Sequence, residues 1–124
     1  MDFFQKLLGA HEPTLMTIES DRWIDAPLTG AGAAHLEKRC AKEKWTDHRD
    51  EEGHEFLALA MIEGGGMTGV LKISSQVYPL VTLTREQSEP AMAQMRADHD
   101  LRTTTVRARA QLDKDGRWRL SLNL

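Results

Sequence analysis

The sequence has little cysteine and no long apolar run. Cys40 is the only cysteine among 124 residues, which excludes a disulfide within the chain and favours a reducing compartment. The apolar run 56–62 is far shorter than the roughly 20 residues that a membrane-spanning helix needs. Residues 1–4 lack the basic start and the apolar stretch of a signal peptide. We therefore expect a cytoplasmic protein that has no membrane partner.

Aromatic side chains are also few, at 6% of the sequence, but the apolar content is ordinary. Hydrophobic residues make up 40% of the chain and charged residues 28%, a composition typical of globular proteins. A chain of 124 residues can bury a core without help from a metal or a disulfide. Since no repeat, low-complexity segment or linker interrupts it, we expect one domain over residues 1–124.

The formal net charge is only −3, and it is unevenly distributed. Residues 102–124 contain six basic and two acidic side chains, so the rest of the chain is strongly acidic overall. Acidic residues crowd the segment 47–55. Such asymmetry marks either an anion-binding face or a well-solvated one.

Residues 103–124 contain two stretches in which apolar and polar side chains alternate with the period of a half-buried strand. A three-residue connection, 114–116, pairs Leu112 with Trp118 and keeps apolar side chains opposite each other. A two-residue connection would instead pair Leu112 with Arg119, and a slip of one residue inverts both faces. The last residue of the longer connection is a glycine, which suits its left-handed position. The pattern therefore predicts a C-terminal β-hairpin whose apolar face, with Trp118, enters the core.

Periodicity and capping signals predict the other elements. Helices are expected at 2–8, 33–44 and 91–99. The last of these is preceded by a capping box at Thr84, or by a rival start at Ser88 that would place Pro90 in the first turn. Strands are expected at 15–18, 56–62, 69–75 and 77–84, with a bulge or an edge near Pro79. The segment 56–62 is expected to be a central strand buried on both faces, with a buried helical turn as the alternative. The helix 2–8 is too short to be stable alone and is expected to be peripheral.

These elements predict an α+β fold. We expect a mostly antiparallel sheet, or a small partly open barrel, with two to three short helices and the C-terminal hairpin at its end.

No catalytic or metal-binding pattern stands out. His48 and His54 are six residues apart without a nearby cysteine, which does not match zinc-site spacings. Cys40 and His35 do not share a helical face, so they do not form a nucleophile and its base. The sequence Gly30-Ala31-Gly32 begins a helix but lacks the preceding strand of a dinucleotide site, so a plain helix start is expected. We therefore expect a non-enzymatic protein without a cofactor.

The polar face of the predicted hairpin is the strongest binding candidate. We call its four arginines the arginine face: Arg107, Arg109, Arg117 and Arg119. Guanidinium groups pair with phosphate or carboxylate, and an aromatic neighbour (Trp23, Trp45 or Tyr78) would let single-stranded nucleic acid stack on the sheet. The alternative is that these charges only keep the sheet soluble, or that acidic groups of the chain neutralise them.

The acidic segment supports a second hypothesis. It is an oligomerising adaptor or immunity-like protein that binds a protein partner through the loop 47–55, with Asp47, Asp50, Glu51 and Glu52 as contacts. The sequence does not predict the oligomeric state, and a homodimer is one of the alternatives.

Residues 56–124 resemble the HIRAN domain family. An apolar strand is followed by Leu83-Thr84-Arg85-Glu86-Gln87, similar to the family's Leu-Ser-Arg-Glu-Asp step, then by a short helix and a strand like 105–110. The resemblance implies a compact β-barrel related to OB folds that binds single-stranded DNA ends. The family's Asp-x-Asn-Pro-x-Asp-x-Asn-Ala signature is absent, and its Gly-Tyr step is Val81-Thr82 here. The resemblance therefore assigns no binding residue.

Overall fold

A computed structural model describes residues 17–124 of the chain. Its two α-helices are α1 (Gly30–Glu43) and α2 (Arg85–Ala97), and a short 3₁₀ turn covers Gly66–Thr68. Its six strands are β1 (Ile24–Ala26), β2 (His54–Glu63), β3 (Val70–Ser75), β4 (Tyr78–Thr82), β5 (Thr103–Leu112) and β6 (Trp118–Leu122). The predicted helix 2–8 and the first half of the predicted strand 15–18 lie outside the described residues.

The six strands form one antiparallel sheet in the order β1-β6-β5-β2-β3-β4. It curls into a half-barrel with β1 and β4 at its edges. Because α1 packs against β4 and β6 and α2 packs against β3, the sheet has one covered inner face and one outer face. This arrangement confirms the predicted α+β class. Neither helix in the described part of the chain is long and apolar enough to cross a membrane.

The C-terminal hairpin has the predicted register. Leu112 pairs with Trp118, Ala110 with Leu120, and Ala108 with Leu122. The connection 114–116 ends in Gly116, whose φ of 77° is the left-handed conformation that glycine adopts without strain. Alternating side chains of β5 and β6 therefore enter the core, although Trp118 itself is only half-buried.

Strand β2 differs from its prediction. Its inward side chains, such as Phe56 and Ala60, belong to the core. Leu57 and Met61 instead point to the outer face, where they are 59% and 38% exposed. The expectation that 56–62 is buried on both faces is therefore wrong. Both helices cover the same face of the sheet, and the apolar run does not reveal on its own that no helix among residues 17–124 covers the other face.

Helix α1 begins three residues earlier than expected. The Thr29 hydroxyl accepts a hydrogen bond from the Gly32 amide at 2.9 Å, which caps the first turn. Gly32 is buried against β4, where an added Cβ would lie 2.9 Å from the carbonyl oxygen of Leu80. This glycine therefore lets the helix approach the strand. Leu36 and Cys40 continue the buried stripe that the sequence predicts.

Helix α2 begins at the first of its two predicted starts. Thr84 and Gln87 form a reciprocal capping box, in which the Thr84 hydroxyl accepts from the Gln87 amide at 3.1 Å. Pro90 consequently lies inside the helix rather than in its first turn, so the rival start at Ser88 is wrong. The helix ends at Ala97, and His99 beyond it has a φ of 62°.

Strands β3 and β4 are joined by a tight turn of two residues. Gln76 and Val77 both have positive φ angles, of 50° and 70°, although neither is glycine. The pairing shifts between Ile73 and Ser74, opposite the part of β4 that contains Pro79. The bulge and the edge position expected near Pro79 are both present.

The C-terminal strand holds the first strand in place. Among residues 17–124, β1 pairs only with β6, from Ile24 opposite Leu122 to Ala26 opposite Leu120. The Asn123 side chain donates to the carbonyl of Arg22 at 2.9 Å, and the Arg22 guanidinium donates to the carbonyl of Leu124 at 2.8 Å. Residues 102 positions apart are thus joined directly.

Candidate functional site

The arginine face is largely assembled as predicted. Arg107 and Arg109 on β5 and Arg119 on β6 lie on the outer face of the sheet, since the residues between them enter the core. Arg117 lies just before β6, where its amide donates to the Asp113 carboxylate at 2.9 Å and its side chain is exposed. Three of the four arginines therefore share a strand platform, and the fourth extends from the turn.

A carboxylate lies between two of these arginines. Glu55 on β2 is directly opposite Arg109, and Arg107 donates to it twice, from Nε to Oε2 at 2.9 Å and from Nη2 to Oε1 at 3.2 Å. Arg109 Nε is 3.9 Å from Oε1. The hydrogen bonds from Arg107 are the main reason that the pKa of Glu55 is lower than usual. Arginine also binds phosphate in this bidentate geometry, with two donors on two oxygens.

The remaining strand arginine also has an acidic neighbour. Arg119 lies 3.8 Å from Asp25 on β1, and both side chains are more than half exposed. Ion pairs between exposed side chains contribute little net stability because water screens them. Acidic groups thus neutralise the arginine face in part, which is one of the alternatives that the sequence left open.

One tryptophan lies on this face. The guanidinium carbon of Arg109 is 3.7 Å from the ring centroid of Trp23, and that of Arg107 is 5.5 Å away. A cation over an aromatic face is attracted by the negative charge of the ring. Of the three aromatic residues proposed for stacking, only Trp23 contacts the arginine face. Trp45 is buried beside Phe56, and Tyr78 stacks on His35.

Apolar side chains border the arginines. Leu57 lies opposite Arg107 in the β2–β5 pairing, and the exposed Met61 follows on the same face of β2. Neither residue was predicted from the sequence to lie on this face. The strict alternation of the facing strand β5 is the signal that could have placed them on the outer face, because antiparallel partners share a face.

The acidic loop has a defined conformation. It ends at Gly53, since His54 and Glu55, which were expected in the loop, belong to β2. The Gln111 side chain donates to the carbonyls of Asp50 and Glu51 at 2.9 and 3.1 Å. The side chains of Asp50, Glu51 and Glu52 are exposed. Three of the four predicted acidic contacts are therefore accessible to a partner.

The fourth predicted contact, Asp47, has a partner within the chain. Its Oδ1 lies 2.6 Å from Nδ1 of His54, whose ring stacks on Trp45 with centroids 4.1 Å apart. Asp47 thus fixes the base of the loop rather than offering a free carboxylate.

The side chains considered for catalysis and metal binding do not converge. Cys40 is buried, and desolvation raises the pKa of its thiol, which disfavours the reactive thiolate. No group of three His, Cys, Asp or Glu side chains among residues 17–124 is close enough to hold a metal ion. The described part of the chain therefore does not bring these side chains together into one group.

The comparisons with known proteins are negative. No protein-family model matches the chain, and neither the curated proteins nor the solved structures yield a match. The resemblance of residues 56–124 to the HIRAN domain therefore stays a prediction, as does the cytoplasmic location.

Proposed function

We propose that the protein is a non-enzymatic binding module that holds single-stranded nucleic acid on the arginine face. The observation that carries this proposal is the position of Trp23 within 3.7 Å of Arg109 on an exposed sheet surface. Sheet platforms that bind single strands combine cationic side chains for the backbone with aromatic rings for the bases. Arg107, Arg109 and Trp23 provide both.

Glu55 takes the place of a phosphate in this proposal. Its carboxylate is gripped by Arg107 at 2.9 and 3.2 Å, in a pairing that is 43–45% exposed on both sides. Because the pair is exposed, exchanging the carboxylate for a phosphate oxygen requires little loss of stability. The internal carboxylate keeps both guanidinium groups oriented until a ligand replaces it.

The test is fluorescence anisotropy with a labelled single-stranded oligonucleotide at a low and a higher salt concentration. We expect affinity to fall with salt, because bound cations are released from each neutralised phosphate. The double substitution Arg107→Ala/Arg109→Ala should weaken binding and reduce the slope of log K against log salt by about 0.7 for each phosphate that the variant no longer neutralises. Arg96→Ala is a matched control, since Arg96 is an equally exposed arginine on α2 that also pairs with a glutamate.

Two further substitutions sharpen the test. Glu55→Gln removes the competing carboxylate and should increase affinity, whereas Trp23→Leu should decrease it by removing the stacking surface. Absence of binding at low salt, or binding that none of these substitutions changes, would rule out this proposal.

The shape of the acidic loop favours a second candidate function. Gln111 fixes its backbone at Asp50 and Glu51 while their side chains stay exposed, which suits a protein partner with a basic surface. In that case the chain is an adaptor or immunity-like protein. Charge reversal with Asp50→Lys and Glu52→Lys should abolish such an interaction and leave oligonucleotide binding intact. Light scattering of both forms shows whether the partner is a second copy of this chain.

A further inference from the structure

A second basic site lies on the helix-covered side of the sheet, between α1 and the β3–β4 turn. It is a cavity of about 420 Å³ lined by His35, Lys38, Arg39, Lys42 and Tyr78, with two alanines of α1 and Gln76 completing its wall. Pockets that hold small ligands typically have volumes of about 300–1,000 Å³. The cavity is thus of a size that suits a small molecule.

The charges around this cavity are unbalanced. Lys38 and Lys42 are exposed and lie one helical turn apart, and neither has an ion-pair partner anywhere in residues 17–124. Within the described part of the chain, no carboxylate lines the cavity. Like charges at this spacing repel each other, so an anion between them would relieve the repulsion.

The third cation of the cavity is already fixed. Arg39 holds Glu43 with Nε at 2.6 Å from Oε2, and its Nη1 donates to the Ser75 hydroxyl at 2.9 Å. The Arg39 guanidinium also lies 4.9 Å from the ring centroid of Phe56. These contacts fix the Arg39 side chain, and Glu43 neutralises its charge, so Lys38 and Lys42 provide the unpaired positive charge of the cavity.

Two stacked aromatic rings line the cavity together with the lysines. The rings of His35 and Tyr78 stack with centroids 4.5 Å apart and an angle of 22°. Tyr78 remains 56% exposed, so His35 covers only part of its surface. Because aromatic rings stack readily on nucleic-acid bases, the uncovered part of Tyr78 is a platform for a planar ligand group.

His35 is itself held in place. Its Nε2 is 3.0 Å from the buried Ser75 hydroxyl, which leaves Nδ1 without a protein partner in the described part of the chain. Burial, followed by the nearby charge of Arg39, lowers the pKa of His35, so the ring is predominantly neutral at neutral pH. A fixed neutral ring with one unused nitrogen can stack and exchange one hydrogen bond with a ligand.

The turn at the edge of the cavity is strained. Val77 has a φ of 70°, a conformation that is unusual for a β-branched residue, and its side chain is 88% exposed. Strained backbone of this kind is concentrated at binding and active sites, where the surrounding structure maintains it. The strain lies directly between Ser75, which anchors His35, and Tyr78.

We propose that this cavity binds a nucleotide, with the phosphate between Lys38 and Lys42 and the base on Tyr78. The nucleotide is either free or at the phosphorylated end of a nucleic-acid strand, and both sources present the same chemistry. This site is separate from the arginine face, and it can exist whether or not that face binds nucleic acid.

The test is isothermal titration of the full chain with adenosine 5′-monophosphate, adenosine and a 5′-phosphorylated oligonucleotide. We expect the monophosphate to bind and adenosine to bind much more weakly, since only the former carries the charge that the lysines need. If only the oligonucleotide binds, and its unphosphorylated form does not, the same site takes a strand end. Failure of both phosphorylated probes to bind at millimolar concentration would overturn the proposal.

Substitutions locate the binding. Lys38→Ala/Lys42→Ala should weaken it by about tenfold or more, and the control pair Lys72→Ala/Lys114→Ala, with the same change in net charge, should leave it unchanged. Tyr78→Ala should weaken binding, and Tyr78→Phe, which keeps the ring, should restore it. If binding survives loss of Lys38 and Lys42 but not of Arg107 and Arg109, the ligand lies on the arginine face and the cavity proposal fails.

Discussion

Leu112 lies directly opposite Trp118 across the C-terminal hairpin, and neither side chain is fully buried. The indole of Trp118 packs edge-on against Trp45, with ring centroids 6.2 Å apart, and its Nε1 donates to the Glu37 carboxylate of α1 at 3.2 Å. Trp118 therefore connects the hairpin to the helix while one side of it remains in contact with water.

Replacing Trp118 tests how much this connection contributes. Trp118→Ala should lower the free energy of unfolding by about 2 kcal/mol, less than the ~3–5 kcal/mol of a fully buried tryptophan, because part of the ring remains in contact with water. Trp118→Phe keeps most of the ring contact and should lose less. Urea unfolding followed by circular dichroism measures both, and an unchanged stability in the alanine variant would contradict the packing of the hairpin on α1.

Two glycines at the start of α1 provide a matched pair. In Gly32→Ala the new Cβ meets the Leu80 carbonyl oxygen at 2.9 Å, so we expect a loss of about 1–3 kcal/mol from overpacking. In Gly30→Ala the Cβ has no atom within 4 Å, and helix propensity alone should leave stability unchanged or raise it by up to ~1 kcal/mol. Thermal unfolding compares the two variants. Equal effects would mean that α1 does not approach β4 so closely.

Pro90 is expected to weaken α2. It lies in the second turn, where it cannot donate the hydrogen bond that the Glu86 carbonyl would otherwise accept. Because Pro90 is exposed, Pro90→Ala leaves the core intact and should raise the free energy of unfolding by about 1–3 kcal/mol. The corresponding change at an exposed helix position without a proline, Glu86→Ala, should have a small effect. If Pro90→Ala were instead less stable than the natural chain, Pro90 would have to lie in the first turn of the helix, where proline is well tolerated.

The lowered pKa of Glu55 predicts how the free energy of unfolding depends on pH. Its folded-state pKa is depressed below the ordinary 4.5, chiefly by hydrogen bonds from Arg107. Its contribution is therefore present above pH 4.5 and is lost as the pH falls through the lower folded value. We expect the stability difference between the natural chain and Glu55→Gln to shrink as the pH falls below 4.5. Glu52→Gln, whose exposed carboxylate has no ion pair in the described residues, should show no comparable change. A difference that is the same at all pH values would contradict the Arg107 pairing.

The parts of the fold that depend on short-range patterns could be predicted from the sequence. The hairpin register followed from the alternation around Leu112 and Trp118, and the capping box at Thr84 followed from residues three positions apart. Both depend on local geometry, since neighbours along a strand or a helical turn are fixed by the backbone itself.

The parts of the fold that depend on residues far apart in the sequence could not be predicted from it. Trp23 reaches Arg109 only because β1 joins the sheet beside β6, and nothing in the residues of β1 indicates that neighbour. Lys42 and Tyr78 likewise line one cavity only because α1 packs on β4. The sequence therefore indicated the residue types of the arginine face, but it named Trp23 only as one of three aromatic candidates, and it did not indicate the cavity at all.

The pairing of β1 with β6 has a consequence for how the chain folds. During synthesis β6, the strand with which β1 pairs among the described residues, emerges about a hundred residues after β1, so β1 must wait for it. Arg22 and Leu124 close a loop of about a hundred residues, and contacts of such long range slow folding because loop closure costs entropy before it is rewarded. A nascent chain that lacks β6 leaves the free edge of β5 available for association with other strands. Formation of β6 therefore covers the edge of β5 and removes it as a site of association.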